Sequence, residues 1–94
     1  MGEQRCPVRG DLDLASASAL QEQLSLLVDQ SSDDLVLDCA GLDFIDSSGI
    51  AVFVHIQQVL RLQGRAFRVE HLTGRARRVF ELLGLTDSLG IAPA

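Results

Sequence analysis
The chain has no tryptophan, no tyrosine and no lysine, only four phenylalanines, and two cysteines and two prolines in 94 residues. Each shortage excludes something. Without lysine there is no phosphate-binding P-loop, and without aromatics between the basic residues there is no stacking platform for nucleic acid. No run approaches the roughly 18 apolar residues of a membrane span, and MGEQRCPVRG is not a basic segment followed by an apolar one, so a soluble cytoplasmic protein without direct membrane insertion is expected. Cys6 and Cys39 fit neither a disulfide-dense scaffold nor a metal site, with His55 and His71 their only company. Buried free thiols are the expectation, and a redox pair the alternative if the strands that carry them are neighbours.

What is present is an apolar content of 47%, enough for one small domain over residues 1 to 94. The net charge of −5 is unevenly spread: residues 1 to 46 hold ten acids and two arginines (−8), whereas residues 47 to 94 hold three acids and six arginines (+3). Overall negative charge opposes a phosphate backbone, so no nucleic-acid partner is expected. QRCPVR reads as a short strand that Gly10 ends, with Pro7 placing it at an edge or bulge. Ala17, Leu20, Leu24, Leu27 and Val28 recur at helical spacing up to Gln30, with Ser16 or Ser18 as the cap. LVLDC is apolar enough for a strand covered on both sides by helices.

The segment from Ile50 to Gly64 reads as a central helix, AFRVEHL as a strand, and the stretch opened by Thr73 and closed by Gly84 as a helix with the stripe Ala76, Val79, Phe80 and Leu83. Strand and helix alternate three times. That order implies a single α/β domain on a mostly parallel or mixed sheet.

The most informative stretch is FIDSSGI, residues 44 to 50, where a strand hands over to the central helix. Hydroxyls at such a junction serve either as caps or as acceptors of a modification. Ser47 lacks a base: His55 lies eight residues later on the same helix, about 12 Å along its axis. No Gly-x-Ser-x-Gly elbow is present, so no enzyme and no cofactor are expected. A phosphate at a helix entrance is tolerated by free N–H groups and the macrodipole, while its charge changes what the surface binds. Asp11, Asp13, Asp43 and Asp46 sharpen that change if they share the same end of the sheet.

Three stretches in order, GDLDLASASAL, LVLDCAGLDFIDSSGIAVF and GRARRVFELLGL, resemble the STAS domains, the family of sulfate transporters and anti-sigma factor antagonists, and most closely its bacterial antagonist branch. The likeness covers roughly residues 5 to 90. It implies a small sheet with helices mainly on one face, and regulation rather than catalysis. It also implies that the unphosphorylated domain binds an anti-sigma factor that is a serine kinase and frees a sigma factor, and that a PP2C-type phosphatase restores the form that binds. Carried onto this chain, Ser47 is the phosphoacceptor, with Asp11, Asp13, Asp46, Ser48 and Gly49 among the partner-binding residues. Asp11 stands where glutamate is usual, keeping the charge with one methylene less. The family usually has two strands before the first of these stretches; nine residues precede Gly10 here, so the first strand is expected to be missing and the exposed edge to favour self-association into a homodimer. Service as a subunit or tail of a membrane transporter and a scaffold that is never phosphorylated remain the alternatives, with a serine hydrolase behind them.

Overall fold
The computed structural model describes residues 2–93. Three strands and three helices alternate: β1 (Glu3–Leu12), α1 (Leu14–Gln30), β2 (Asp34–Ile45), α2 (Ser47–Leu62), β3 (Phe67–Glu70) and α3 (Gly74–Leu82). The sheet is parallel throughout, in the order β1-β2-β3. Among the described residues of the final segment, a single parallel bridge joins Val69 to Ile91.

One face of the sheet carries the core. Cys6, Val8 and Leu12 of β1, Leu35, Leu37 and Cys39 of β2, and Phe67 and Val69 of β3 join one buried cluster with residues of all three helices. Phe53 is its hub, stacked on Phe80 with ring centroids 5.5 Å apart and meeting Phe67 edge-on at 6.4 Å. The helices lie on this one face, and α2 and α3 end where expected, with Gly64 and Gly84 at positive φ just beyond them. Leu83, placed in the stripe of α3, is instead 58% exposed, because it lies past the last turn of a short helix.

The opposite face corrects the expectation that β2 is helix-covered on both sides. Val36 is fully buried, yet it lies outside the core cluster, in register between Arg5 and Arg68. These arginines form a closed ring of ion pairs with Glu3 and Glu70, and their stems cover the valine. Exposed ion pairs contribute about 0–1 kcal/mol each, whereas burying a valine contributes roughly 1.5–3 kcal/mol. The ring therefore acts more as a lid of methylenes than as a set of charges.

Two strand and helix limits also shift. Gly10, at φ 71, bends β1 beside a register shift rather than ending it, and the strand runs on to Leu12. Helix α1 starts two residues before Ser16, and its cap is Asp13 rather than Ser16 or Ser18. A carboxylate lies outside the apolar stripe and so escapes a reading based on periodicity.

Candidate functional site
Register sets the site. Asp11 pairs with Phe44 and Leu12 with Ile45 at the C-terminal ends of β1 and β2, so the caps Asp13 and Asp46 and the entrances of α1 and α2 lie side by side. The Asp46 N–H donates to the Leu12 carbonyl at 3.1 Å and ties the junctions together.

At the entrance of α1, Asp13 Oδ1 accepts from the N–H groups of Ala15 and Ser16, both at 3.1 Å. Ser16 Oγ in turn accepts from the Asp13 N–H at 2.9 Å, completing a capping box, and donates to the Asp11 carbonyl. The hydrogen bond from the Ser16 N–H, above all, holds the Asp13 carboxyl below its ordinary value. At the entrance of α2, Asp46 Oδ1 accepts from Ser48 N–H at 2.8 Å and Gly49 N–H at 3.3 Å. The cap is thus the aspartate, and neither serine is needed for it.

Ser47, in the first position of α2, is exposed, and its hydroxyl makes no hydrogen bond among the described residues; Ser48 is half-buried. Gly49, expected among the partner-binding residues, has a packing role within the chain. It is buried, and a Cβ there would lie 2.7 Å from Ile45 Cγ1 and 2.8 Å from Leu12 Cδ2, so its role is to let α2 approach the two strands. Asp11, Asp13 and Asp43 are exposed around Ser47's end of the sheet, and Asp46 is half-buried.

Two apolar residues that sequence reasoning passed over stand on the same rim: Leu14, 77% exposed, and Phe44, 39% exposed. Leu14 lies three residues before Ala17, at a spacing that suggests burial. It is instead the first residue of α1, next to the cap Asp13, and is exposed there. Phe44 sits where β2 carries irregular register, so alternation does not assign it a face.

His55 lies along α2 on its exposed side, and the His71 ring bonds Asp38 at 2.9 Å across β2 and β3, so neither histidine serves Ser47. Among the described residues no three His, Cys, Asp or Glu side chains are grouped to hold a metal ion, and no helix is long and apolar enough to cross a membrane. The larger surface hollow, lined by Gly2, Glu3, Asp34 and Arg65 among others, lies at the other end of the sheet, where the strands begin.

Cys6 and Cys39 are on neighbouring strands, as a redox pair requires, but both thiols are free and buried. Cys6 faces Leu37, so Cys39 is offset by two residues, roughly 8 Å away from strand spacings, beyond the usual disulfide span of about 4.4–6.8 Å. Burial pushes both thiols up, Cys39 to about 12, which opposes thiolate chemistry.

With this geometry in place, comparison with known proteins is decisive. The family model described as "Mlab, STAS domain" matches residues 3–91. The chain belongs to the STAS domain family. The anti-sigma-B factor antagonist of Bacillus subtilis (strain 168) is 33% identical over 85 residues, spanning 90% of this chain and 77% of the relative. A crystal structure of an anti-sigma factor antagonist from Mycobacterium paratuberculosis superposes with a TM-score of 0.88 at 26% identity, covering 99% of this chain and 79% of the other. The anti-sigma factor antagonist SpoIIAA in its unphosphorylated form shares the fold, with a TM-score of 0.84 at 19% identity over 99% of this chain and 80% of that one. This STAS domain therefore has the α/β architecture of those regulators.

Proposed function
We infer that this STAS domain is an anti-sigma factor antagonist, that its partner is an anti-sigma factor with serine-kinase activity, and that phosphate on Ser47 switches binding off. The observation that carries this reading is the exposed Ser47 hydroxyl, unengaged among the described residues, on a helix whose cap Asp46 already provides. Modifying it removes no hydrogen bond from the fold. A phosphate brings about −1.5 to −2 charges, which the helix N-terminus tolerates, onto a rim that already carries Asp11, Asp13, Asp43 and Asp46. Leu14 and Phe44 give the same rim apolar area for a partner to cover. Fold survives, and recognition changes.

The relatives support the kind of partner, since they are named anti-sigma-B factor antagonists, and the structural neighbour SpoIIAA is described in both unphosphorylated and phosphorylated forms. A PP2C-type phosphatase would restore the binding form. The test is affinity of Ser47→Ala and Ser47→Asp for the anti-sigma factor. Ser47→Ala is expected to bind as the unmodified chain does and Ser47→Asp at least tenfold more weakly, because like charges across an interface repel. Equal affinity of the two variants would overturn the switch.

A further inference from the structure
Strand β1 is an edge of the sheet: β2 pairs with one side of it, and among the described residues no strand pairs with the other. Hydrogen bonds identify which of its backbone groups are unused. The Asp34 N–H donates to the Gly2 carbonyl, so even-numbered residues of β1 turn their N–H and C=O groups to β2, and Glu3, Arg5, Pro7, Arg9 and Asp11 turn theirs outward. Both register shifts put the extra residue on β2, so the alternation continues along β1. Pro7 therefore costs the sheet nothing, because its missing N–H falls on the open side. Of the outward groups, the Asp11 carbonyl is taken by Ser16 Oγ.

We propose that two copies of this chain pair antiparallel along this edge, with Cys6 of one opposite Cys6 of the other. A twofold axis that passes at a residue keeps core-facing side chains on one side of the joined sheet, and axes at Cys6, Pro7 and Val8 overlap the two strands most fully. An axis at Pro7 sets Arg5 opposite Arg9 and Glu3 opposite Asp11, like against like on every outward pair. An axis at Val8 sets Arg5 opposite Asp11, whose carbonyl already accepts from Ser16 Oγ, and leads Glu3 to Asp13, acid against acid. An axis at Cys6 sets Glu3 opposite Arg9 twice, and it uses only backbone groups that are free. Arg9 is an exposed arginine with no ion-pair partner among the described residues, its stem lying against Gly41. Each Glu3 and Arg9 pair exchanges two backbone hydrogen bonds; each Arg5 and Pro7 pair makes one. The missing bonds at Pro7 keep the association reversible, as edge prolines do.

In this register Cys6 is a non-hydrogen-bonded antiparallel pair, with Cα atoms about 4.5 Å apart, within disulfide reach. The offset of Cys6 from Cys39 within one chain lacks that reach. The test uses the whole chain carrying Cys39→Ser, so that Cys6 is its one thiol, treated at alkaline pH, which offsets the raised thiol, with diamide, a diazene that takes two protons and two electrons from two thiols and becomes the hydrazine. A reducible covalent dimer is expected, alongside a concentration-dependent mass by sedimentation for the unaltered chain. Arg9→Glu, which keeps the Cβ and Cγ beside Gly41 and breaks no ion pair among the described residues, should raise the dissociation constant at least tenfold and abolish the cross-link. A single-chain mass for the unaltered protein at every concentration overturns the proposal. So does a dimer that Arg9→Glu leaves unchanged.

Discussion

The entrances of α1 and α2 are built alike and finished differently. Both begin with an apolar strand residue followed by an aspartate cap in nearly the same conformation, φ −113 and ψ −170 at Asp13, φ −110 and ψ −173 at Asp46. They differ in where the cap's own N–H goes. Asp13 leaves an edge strand with no neighbour beyond it among the described residues, and its N–H is met by the Ser16 hydroxyl. Asp46 leaves the central strand, and its N–H is met by the Leu12 carbonyl of β1. Topology thus calls for a serine hydroxyl at the third position of α1 and for none at the third position of α2, which is Gly49. Ser47, in the first position of α2, is exposed.

That contrast is most easily broken at Gly49, the third residue of α2, in the position that Ser16 holds in α1. The neighbouring strand that meets the Asp46 N–H also presses on Gly49, so Gly49→Val is expected to overpack Leu12 and Ile45 and to cost about 2–3 kcal/mol in urea unfolding. An unchanged midpoint would mean that α2 is not held against β1 and β2 as described. Next in size, Asp13→Ala and Asp46→Ala should each lose about 1–2 kcal/mol, as cap removals do. The contrast itself is sharpened by the serines: Ser16→Ala should cost about 1 kcal/mol, because it strips a partner from the Asp13 N–H, whereas Ser47→Ala should stay within about 0.5 kcal/mol. The reverse order would contradict the assignment of which hydroxyl serves the fold.

The smallest effect is the dependence on pH. Asp13 is lowered by Ser16, Asp38 by the His71 hydrogen bond and Glu70 by the Arg5 hydrogen bond. A carboxyl lowered in the folded state contributes stability above its unfolded value, near pH 3.9–4.3, and loses it as pH falls through the lower folded value. Stability should therefore be flat at neutral pH and decline below about pH 4. Asp13→Asn, which retains a capping oxygen, should shallow that decline. A chain equally stable at pH 7 and pH 3 would show that these hydrogen bonds do not form.

Much of the fold is legible in the sequence because it rests on periodicity. The stripe Ala17, Leu20, Leu24 and Val28 and the strand alternation of Phe67 and Val69 are written into short windows, and each is buried. The misses share one cause, which is partners distant in sequence. LVLDC looks the same whether helices or an ion-pair ring cover Val36, and that ring joins Arg5 to Glu70 and Glu3 to Arg68, 65 residues apart in both cases. The caps Asp13 and Asp46 lie outside the apolar stripes. The burial of Gly49 depends on Leu12, which only the parallel register brings near. At the site itself, sequence supplied the junction and the two serines, and the structure separated them by exposure.

The most direct test of the central claim is to incubate the chain with candidate anti-sigma kinases and ATP and to locate phosphate by peptide mass spectrometry. Phosphate on Ser47, lost in Ser47→Ala and retained in Ser48→Ala, is the predicted result. Phosphate on Ser48 alone, or on neither serine, would contradict it.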